Sequence, residues 1–401
     1  MPLLVNPSGR LVAVDNHKDF DYWLTKPGFR RATPKEEKEH FAEKMALIRA
    51  KELEAFKGAG LYMATVSIGG KDGYGRAADL IKKELEALEI PVTRYYNEQK
   101  VALIFHAPTA ISQVESPYRI IYTMFESTKI PDEWVPYLKE ADEVLVPSTW
   151  CQEVFKNSGV ETKVVPLGYD DNIFKYKERE NKRKAKKTFT FLHYNAFNIR
   201  KGFMELFKAF TEEFGPDEPV RLLLKTTAHR APLPITKSQY PNIDIIYGSQ
   251  PEGELLKTIY EADCFVFPSR GEGFGMTPLE AMATGIPAII PNAHSFKDYF
   301  NPDCMYEVKV GAKCPGIYLR YQGMDVGDMV VCDIEDLRRQ MRWAYEHQDE
   351  VLEKGKLAAE WVQKWTFKKT AKKLKAIYET ALEKPTKERT LRDVLTLEKV
   401  K

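Results

Sequence analysis

From residue 61 onward the chain alternates short apolar runs with longer stretches in which apolar residues recur three or four positions apart. The runs LYMATVSIGG (61–70), 92–96, 101–106, 119–124 and 143–147 read as strands, and AADLIKKELEALEI has helical spacing. Strand and helix in alternation predict a mostly parallel sheet covered on both faces. The pattern restarts at FTFLHYN (189–195) and continues through VRLLLK to the apolar run Phe265, Val266, Phe267. After residue 335 only helical spacing remains, in IEDLRRQMRWAYEHQ, EVLEKGKLAAEWVQKW and TFKKTAKKLKAIYETALE. The first 58 residues are polar and charged. Within them TPKEEKEHFAEKMALIRAKELEAF (33–56) opens with an N-cap Thr and a Pro and predicts a surface helix.

A short string recurs: EADEVLVPS at 140–148 returns as EADCFVFPS at 261–269. Chance similarity between two strand–helix units would account for it. So would two Rossmann-like domains with the same late strand in each. The basic, polar stretch KYKERENKRKAKKT (175–188) between the copies reads as an interdomain linker, placing a boundary near residue 172, although a lysine-rich run could also meet an anionic partner.

At 401 residues the chain can hold two domains, each with its own core. Sixty basic against 58 acidic residues leave a net charge of +2, so the global charge does not argue for a polyanionic partner. Five scattered cysteines without a CxxC pair read as reduced thiols. The start of the chain lacks the build of a signal peptide, and no run approaches the ~18 apolar residues of a spanning helix. The expectation is a soluble, cytoplasmic protein of unknown oligomeric state.

The densest chemistry lies in GEGFGMTPLEAMATG (271–285), directly after the apolar run. Thr277, Pro278 and Glu280 have the spacing of a capping box, with Thr as N-cap, Pro at N1 and Glu at N3. Glu272 stands five residues before that helix, in a Gly-X-Gly turn, with no such local role. Gly273, Phe274 and Gly275 would let backbone amides approach a ligand, and a helix N-terminus after them is an anion site. The end of a parallel strand is where such sheets bind ligands. A carboxylate beside a phosphate cradle suits the hydroxyls of a sugar or ribose.

PSRGEGFGMTPLEAMATGIPAII resembles the signature of retaining GT-B glycosyltransferases of the GT4 type (glycosyl transferases group 1), whose core is two glutamates with seven residues between. GYGRAADLIKKELEALEIPV (73–92), the late first-half strings up to VVPLGYDDNIF, and KWTFKKTAKKLKAIY are similar to other parts of that family. The resemblance covers roughly residues 61–385. It implies an α/β fold of the GT-B kind, two Rossmann-like domains facing across a cleft with a C-terminal helix crossing back. The implied division is an N-terminal extension over 1–60, a first domain over 61–172 joined by the helix 367–385, a nucleotide-sugar domain over 173–366, and a charged tail over 386–401. The implied activity is transfer of a sugar from a nucleotide-diphosphate sugar, UDP- or GDP-linked, to an unidentified acceptor, with no cofactor and no metal.

By the same resemblance Glu272 contacts the transferred sugar near its C3 hydroxyl and Glu280 holds the ribose hydroxyls. The amides around Gly275, Met276 and Thr277 lie near the diphosphate, faced across the cleft by Gly73, Tyr74 and Gly75. A leaving diphosphate needs cations. Lys201 matches the family's Lys-Gly position, whereas the arginine often found six residues earlier is replaced by Asn195. Arg200 or Lys225 could supply the second cation. His106, ending an apolar strand, reads as a buried edge residue or a contact to sugar or acceptor; Glu126 reads as a structural hydrogen-bonding group or an acceptor-side residue. Asp170 and Asp171 match the family's structural crossover pattern rather than a metal pair. Three rival readings stand beside transfer: a GT-B epimerase or phosphorylase, a non-catalytic sugar-nucleotide-binding module, and the same chemistry on a modified base in DNA, for which net charge gives no support.

Overall fold

The computed structural model describes residues 3–9, 11–13, 24–55, 60–65, 73–95, 99–182, 184–185, 187–226 and 238–385. Residues 66–72, which precede the glycines at 73 and 75, and the tail 386–401 lie outside the described residues.

The chain opens with a small antiparallel sheet in which β1 (Leu3–Val5) lies between β2 (Leu11–Ala13) and β3 (Arg30–Arg31). The helix α1 (Pro34–Ala55) follows, and its start is set as the sequence predicts. The Thr33 amide donates to Glu36 Oε2 at 2.8 Å while the Glu36 amide donates to Thr33 Oγ1 at 3.3 Å, a reciprocal cap.

The first domain is a six-stranded parallel sheet. Its strands are β4 (Leu61–Thr65), β5 (Val92–Thr93), β6 (Val101–Phe105), β7 (Tyr118–Tyr122), β8 (Glu143–Val146) and β9 (Lys163–Val164), in the spatial order β5-β4-β6-β7-β8-β9. β6 and β7 are buried at every position, as expected of central strands covered on both faces. Three helices serve this sheet: α2 (Gly73–Glu86), α3 (Trp134–Glu140) and α4 (Thr149–Asn157). α2 turns Ala77, Ala78, Ile81 and Leu85 inward, the stripe its three- and four-residue spacing encodes.

The second domain repeats the plan with β10 (Phe189–Tyr194), β11 (Val220–Lys225), β12 (Ile243–Ile246), β13 (Cys264–Val266), β14 (Ala288–Pro291) and β15 (Met305–Val308), in the order β12-β11-β10-β13-β14-β15, again all parallel. Its helices are α5 (Phe203–Glu213), α6 (Glu252–Glu261) and α7 (Met276–Ala283). The recurring Glu-Ala-Asp strings do lead into strands, β8 and β13, but these hold different slots: β8 is three strands from the first strand of its sheet, and β13 is its immediate neighbour. The expectation of one equivalent late strand in both domains is therefore corrected. What the copies share is a buried strand ending in Pro-Ser, a local solution that any inner strand can use.

An antiparallel hairpin of β16 (Val310–Pro315) and β17 (Asp328–Cys332), unannounced by any strong pattern, reaches from the second domain onto the first. Ser127 Oγ donates to the Val326 carbonyl, the Thr128 amide to the Asp328 carbonyl at 3.0 Å, and Trp134 Nε1 to Tyr321 Oη at 3.0 Å. The chain then runs through α8 (Ile334–Glu346) and α9 (Gln348–Trp361) into α10 (Phe367–Glu383). α10 packs on α2 of the first domain, and Thr370 Oγ1 donates to the Pro166 carbonyl at 2.8 Å. The two passages between domains touch: Tyr169 pairs with Thr366 as a parallel bridge. After this crossing the lysine-rich segment lies on the second domain, where Arg179 Nη1 donates to the carbonyls of Tyr260 and Ala262, both at 2.7 Å.

Gly168 makes the crossing possible, because a Cβ there would stand 2.4 Å from the Thr366 carbonyl carbon. Gly168→Ala is expected to cost about 1–3 kcal/mol of stability through overpacking against backbone. Gly253→Ala, near the start of α6 where a Cβ meets nothing within 4 Å, is expected to be neutral or to stabilise by up to ~1 kcal/mol. Urea titration of both variants checks the contrast; equal midpoints would refute the packing argument.

Candidate functional site

Between the two domains lies a cavity of about 490 Å³, lined from both sides. It is bounded by the ends of β10 and β11, the head of α7, the start of α2 and residues 124–126 after β7. Of the residues singled out in the sequence, Glu272, Glu280, Lys201, Arg200, Lys225, Gly273, Phe274, Gly275, Met276, Thr277, Gly73, Tyr74 and Glu126 line it. Gly75 is buried in α2 and does not line the cavity. His106 also lies off the lining. It is half-buried, its Nδ1 is 3.3 Å from the Ala107 carbonyl, and burial and nearby Arg320 lower its pKa.

The α7 start differs from the capping-box expectation. The helix begins at Met276, with Gly275 as N-cap in the left-handed region at φ 84° and no side-chain cap. Thr277 is inside the first turn, and its hydroxyl reaches Asn195 Oδ1 at 3.4 Å. The left-handed glycine bends the chain into the helix without a side-chain acceptor, which leaves the Glu280 carboxylate unused for capping. A side chain at Gly275 would also meet the Phe296 ring at 2.3 Å. The turn before it is packed as tightly: a Cβ at Gly273 would sit 2.6 Å from Met124 Cγ of the first domain. The glycines of this turn thus serve domain contact, in addition to leaving the cavity open.

Glu272 does have a structural partner set, which its sequence neighbours do not reveal. It is buried, and its Oε1 accepts from Lys201 Nζ at 2.7 Å, Ser269 Oγ at 2.8 Å and Arg200 Nη1 at 3.1 Å. Burial alone would raise its pKa, but Lys201 and Arg200 hold it down at about 2, so it is ionised throughout the working range. Arg200 is committed on three sides: Nη1 also donates to the Gly271 carbonyl at 2.6 Å, and Nη2 lies 3.3 Å from Glu126 Oε1 of the first domain. Lys201 has its pKa lowered by burial, with Glu272 opposing the shift, and its ammonium lies over the Phe267 ring. Lys225 Nζ donates to the Gly248 carbonyl at 2.8 Å.

Glu280 is 1% exposed, and its two oxygens are held from opposite domains. Tyr194 Oη donates to Oε2 at 2.9 Å, and Arg76 of α2 lies 2.6 Å from Oε1. Neither Arg76 nor Tyr194 was singled out in the sequence. Tyr194 ends β10, a slot that the strand pattern located without assigning it a role. Arg76 offered one signal: a cation in the first turn of a helix opposes the macrodipole and so calls for an anionic partner. Among the described residues no group of three His, Cys, Asp or Glu is arranged to hold a metal ion. No helix among them is long and apolar enough to cross a membrane.

Two histidines missed by the sequence reading stand behind this charge cluster. His193 Nδ1 lies 2.9 Å from the Val266 carbonyl, and His294, at φ 43°, brings Nε2 to 3.2 Å from the Ser269 carbonyl. Burial pushes both down to about 4. In the unfolded chain an imidazole takes up a proton near pH ~6.5, whereas these refuse it until far lower pH. The unfolded state therefore binds more protons in that interval, and stability is expected to fall as pH drops from about 6.5 to about 4, staying flat above it. Each histidine should account for about 1–3 kcal/mol of the loss. His193→Gln and His294→Asn, the latter suited to positive φ, should flatten the profile in denaturant titrations; an unchanged slope would place the titrating groups elsewhere.

The comparisons with known proteins meet this geometry at its centre. A model of the family described as glycosyl transferases group 1 matches residues 174–304, the segment that carries Arg200, Lys201, Glu272 and Glu280. The ORF313 protein of Acidianus filamentous virus 1, whose name assigns it provisionally to the glycosyltransferases, is 26% identical over 209 residues. That match covers 52% of this chain and 62% of the viral protein, so the chain spans less than two thirds of that relative. HepE from Anabaena, solved in complex with UDP and glucose, superposes with a TM-score of 0.57 at 12% identity, covering 80% of this chain and 100% of that one. Sucrose-phosphate synthase from Thermosynechococcus elongatus gives a TM-score of 0.54 at 15% identity over 79% of this chain and 81% of its own. The chain shares the GT-B fold with these structures, and its second domain carries the group 1 match.

Proposed function

We propose that this chain is a metal-independent glycosyltransferase of the GT4 type that moves a sugar from a nucleotide-diphosphate sugar to a hydroxyl acceptor with retention of configuration. The observation that carries the reading is the placement of two buried carboxylates, Glu272 and Glu280, on one cavity with the head of α7 between them and Lys201 alongside. Carboxylates recognise hydroxyls, and a helix start flanked by a lysine recognises a diphosphate. The cavity, at about 490 Å³, has the size of a small-molecule site. The UDP and glucose bound by HepE make UDP-sugars the first donors to test.

In this reading the ribose lies at Glu280 and the sugar at Glu272. The bond from the anomeric carbon to the β-phosphate oxygen breaks, with its electron pair leaving on the diphosphate. Lys201 and the amides of Gly275, Met276 and Thr277 stabilise that charge. The acceptor oxygen bonds to the anomeric carbon on the face the diphosphate leaves, and its proton passes to the departing phosphate oxygen. Glu272, held ionised by Lys201 and Arg200, orients the sugar hydroxyls and stabilises the cationic ring. The acceptor enters from the Glu126 side, where the hairpin's Tyr318 Oη donates to Glu126 Oε2 at 3.2 Å.

Glu272→Gln is expected to lower donor turnover, measured as hydrolysis or transfer of UDP- and GDP-sugars, by about 10²–10³ while nucleotide affinity stays nearly constant. Wild-type turnover in that variant would remove Glu272 from the chemistry. Tight donor binding by the unmodified chain with neither hydrolysis nor transfer would make it a binding module.

A further inference from the structure

Among the described residues four cations line the cavity, and their commitments differ. Arg200 is tied to the Gly271 carbonyl, Glu272 and Glu126, and Lys225 to the Gly248 carbonyl. Lys201 stands on Glu272. The fourth, Arg76, comes from the opposite domain, and its side chain is 31% exposed against 13% for Arg200 and 15% for Lys201. Among the described residues its one ion pair is with Glu280 Oε1, and its guanidinium also lies over the Phe174 ring at 5.4 Å.

That ion pair blocks the subsite assigned to ribose. Glu280 is 1% exposed, Tyr194 holds Oε2, and Arg76 stands on Oε1. A ribose diol cannot reach the carboxylate unless something moves. Tyr194 is fixed in its strand and buried, its hydroxyl shared between Glu280 Oε2 and the Thr277 carbonyl, 3.0 Å away. The long, partly exposed arginine is the partner able to leave. Glu280 lies four residues into α7 from Met276, so the displaced guanidinium starts about 6 Å along the helix from the amides that face an anion. Asn195 Nδ2, in the same cavity wall, is a buried donor with no partner among the described residues, a further sign that this part of the wall is completed by a ligand.

We infer that Arg76 is the second diphosphate cation of the donor site, parked on Glu280 until a ribose diol displaces it. This rests on the donor-site reading above and adds a coupling to it. Recognition of the ribose by the second domain releases a cation of the first, which then closes on the diphosphate. Arg76 would therefore oppose binding of a nucleoside and favour binding of its diphosphate.

The test is calorimetric titration of the full chain, unmodified and as Arg76→Ala, Arg76→Gln and Arg76→Lys, with UDP and with uridine, GDP and guanosine serving if the site prefers guanine. Arg76→Gln keeps a hydrogen-bond donor on buried Glu280 and guards against misfolding of the alanine variant. The expected result is at least a tenfold loss of UDP affinity in the Ala and Gln variants, uridine affinity unchanged or improved, and recovery of most of the UDP loss in Arg76→Lys. Equal factors for UDP and uridine, or no change in either, would make Arg76 a structural anchor of Glu280 and overturn the inference while leaving the donor site standing. Failure of the unmodified chain to bind either nucleoside diphosphate would overturn both.

Discussion

Four charges, two of each sign, are largely withdrawn from water where the domains meet: Glu272, Lys201 and Arg200 from the second domain, and Glu126 from the first. Each ion taken from water costs several kcal/mol, and only its partners repay that cost. The set is neutral as a whole, and the loss of any one member leaves an uncompensated charge. Its geometry therefore constrains the turn 269–275, the 3₁₀ turn Ile199–Lys201 and the end of β7 together. The close backbone approach enforces the same register, since Gly271 has room for no side chain beside the Glu126 carbonyl. Specific placement, more than stability, is what such a cluster supplies to the cavity it lines.

The two carboxylates depend on the domains differently. All three polar partners of Glu272 belong to its own domain, so its position does not depend on the first domain. Glu280 has one partner from each domain. Separating the domains would strip Arg76 from Glu280 and Glu126 from Arg200 while leaving Glu272 intact. The two chain crossings between the domains are adjacent at Tyr169 and Thr366.

Much of this was legible in the sequence because it follows from local rules. The strands around β6, β7, β10 and β11, the reciprocal cap of α1 and the final three helices are each written in period and end residues. Glu272 and Glu280 stand out because they flank a glycine turn after an apolar run, whereas Lys201 is marked only by the resemblance to the family's Lys-Gly position. The contacts that define them were not legible, since Arg76–Glu280, Arg200–Glu126 and Tyr194–Glu280 join residues far apart in the chain. The hairpin over 310–332 escaped for a different reason: most of β16 is exposed and carries no apolar alternation. The capping box at Thr277 failed because a left-handed glycine can start a helix without help from a side chain, and sequence spacing is blind to that choice.

The hairpin changes what the first domain presents on the Glu126 side of the cavity. Tyr318 stacks on Phe125 with centroids 4.8 Å apart, while Tyr321 meets Trp134 edge to face. Aromatic pairs of this kind hold by area and by ring electrostatics, so they resist water better than the ion pair of Lys129 with Asp325 at the same junction. Tyr318 also donates to Glu126, which links the hairpin to Arg200 and so to Glu272. A segment of the second domain thus packs against the first beside Glu126. The Glu126 side of the cavity is therefore shaped by both halves of the chain, and whatever enters there meets residues of both domains.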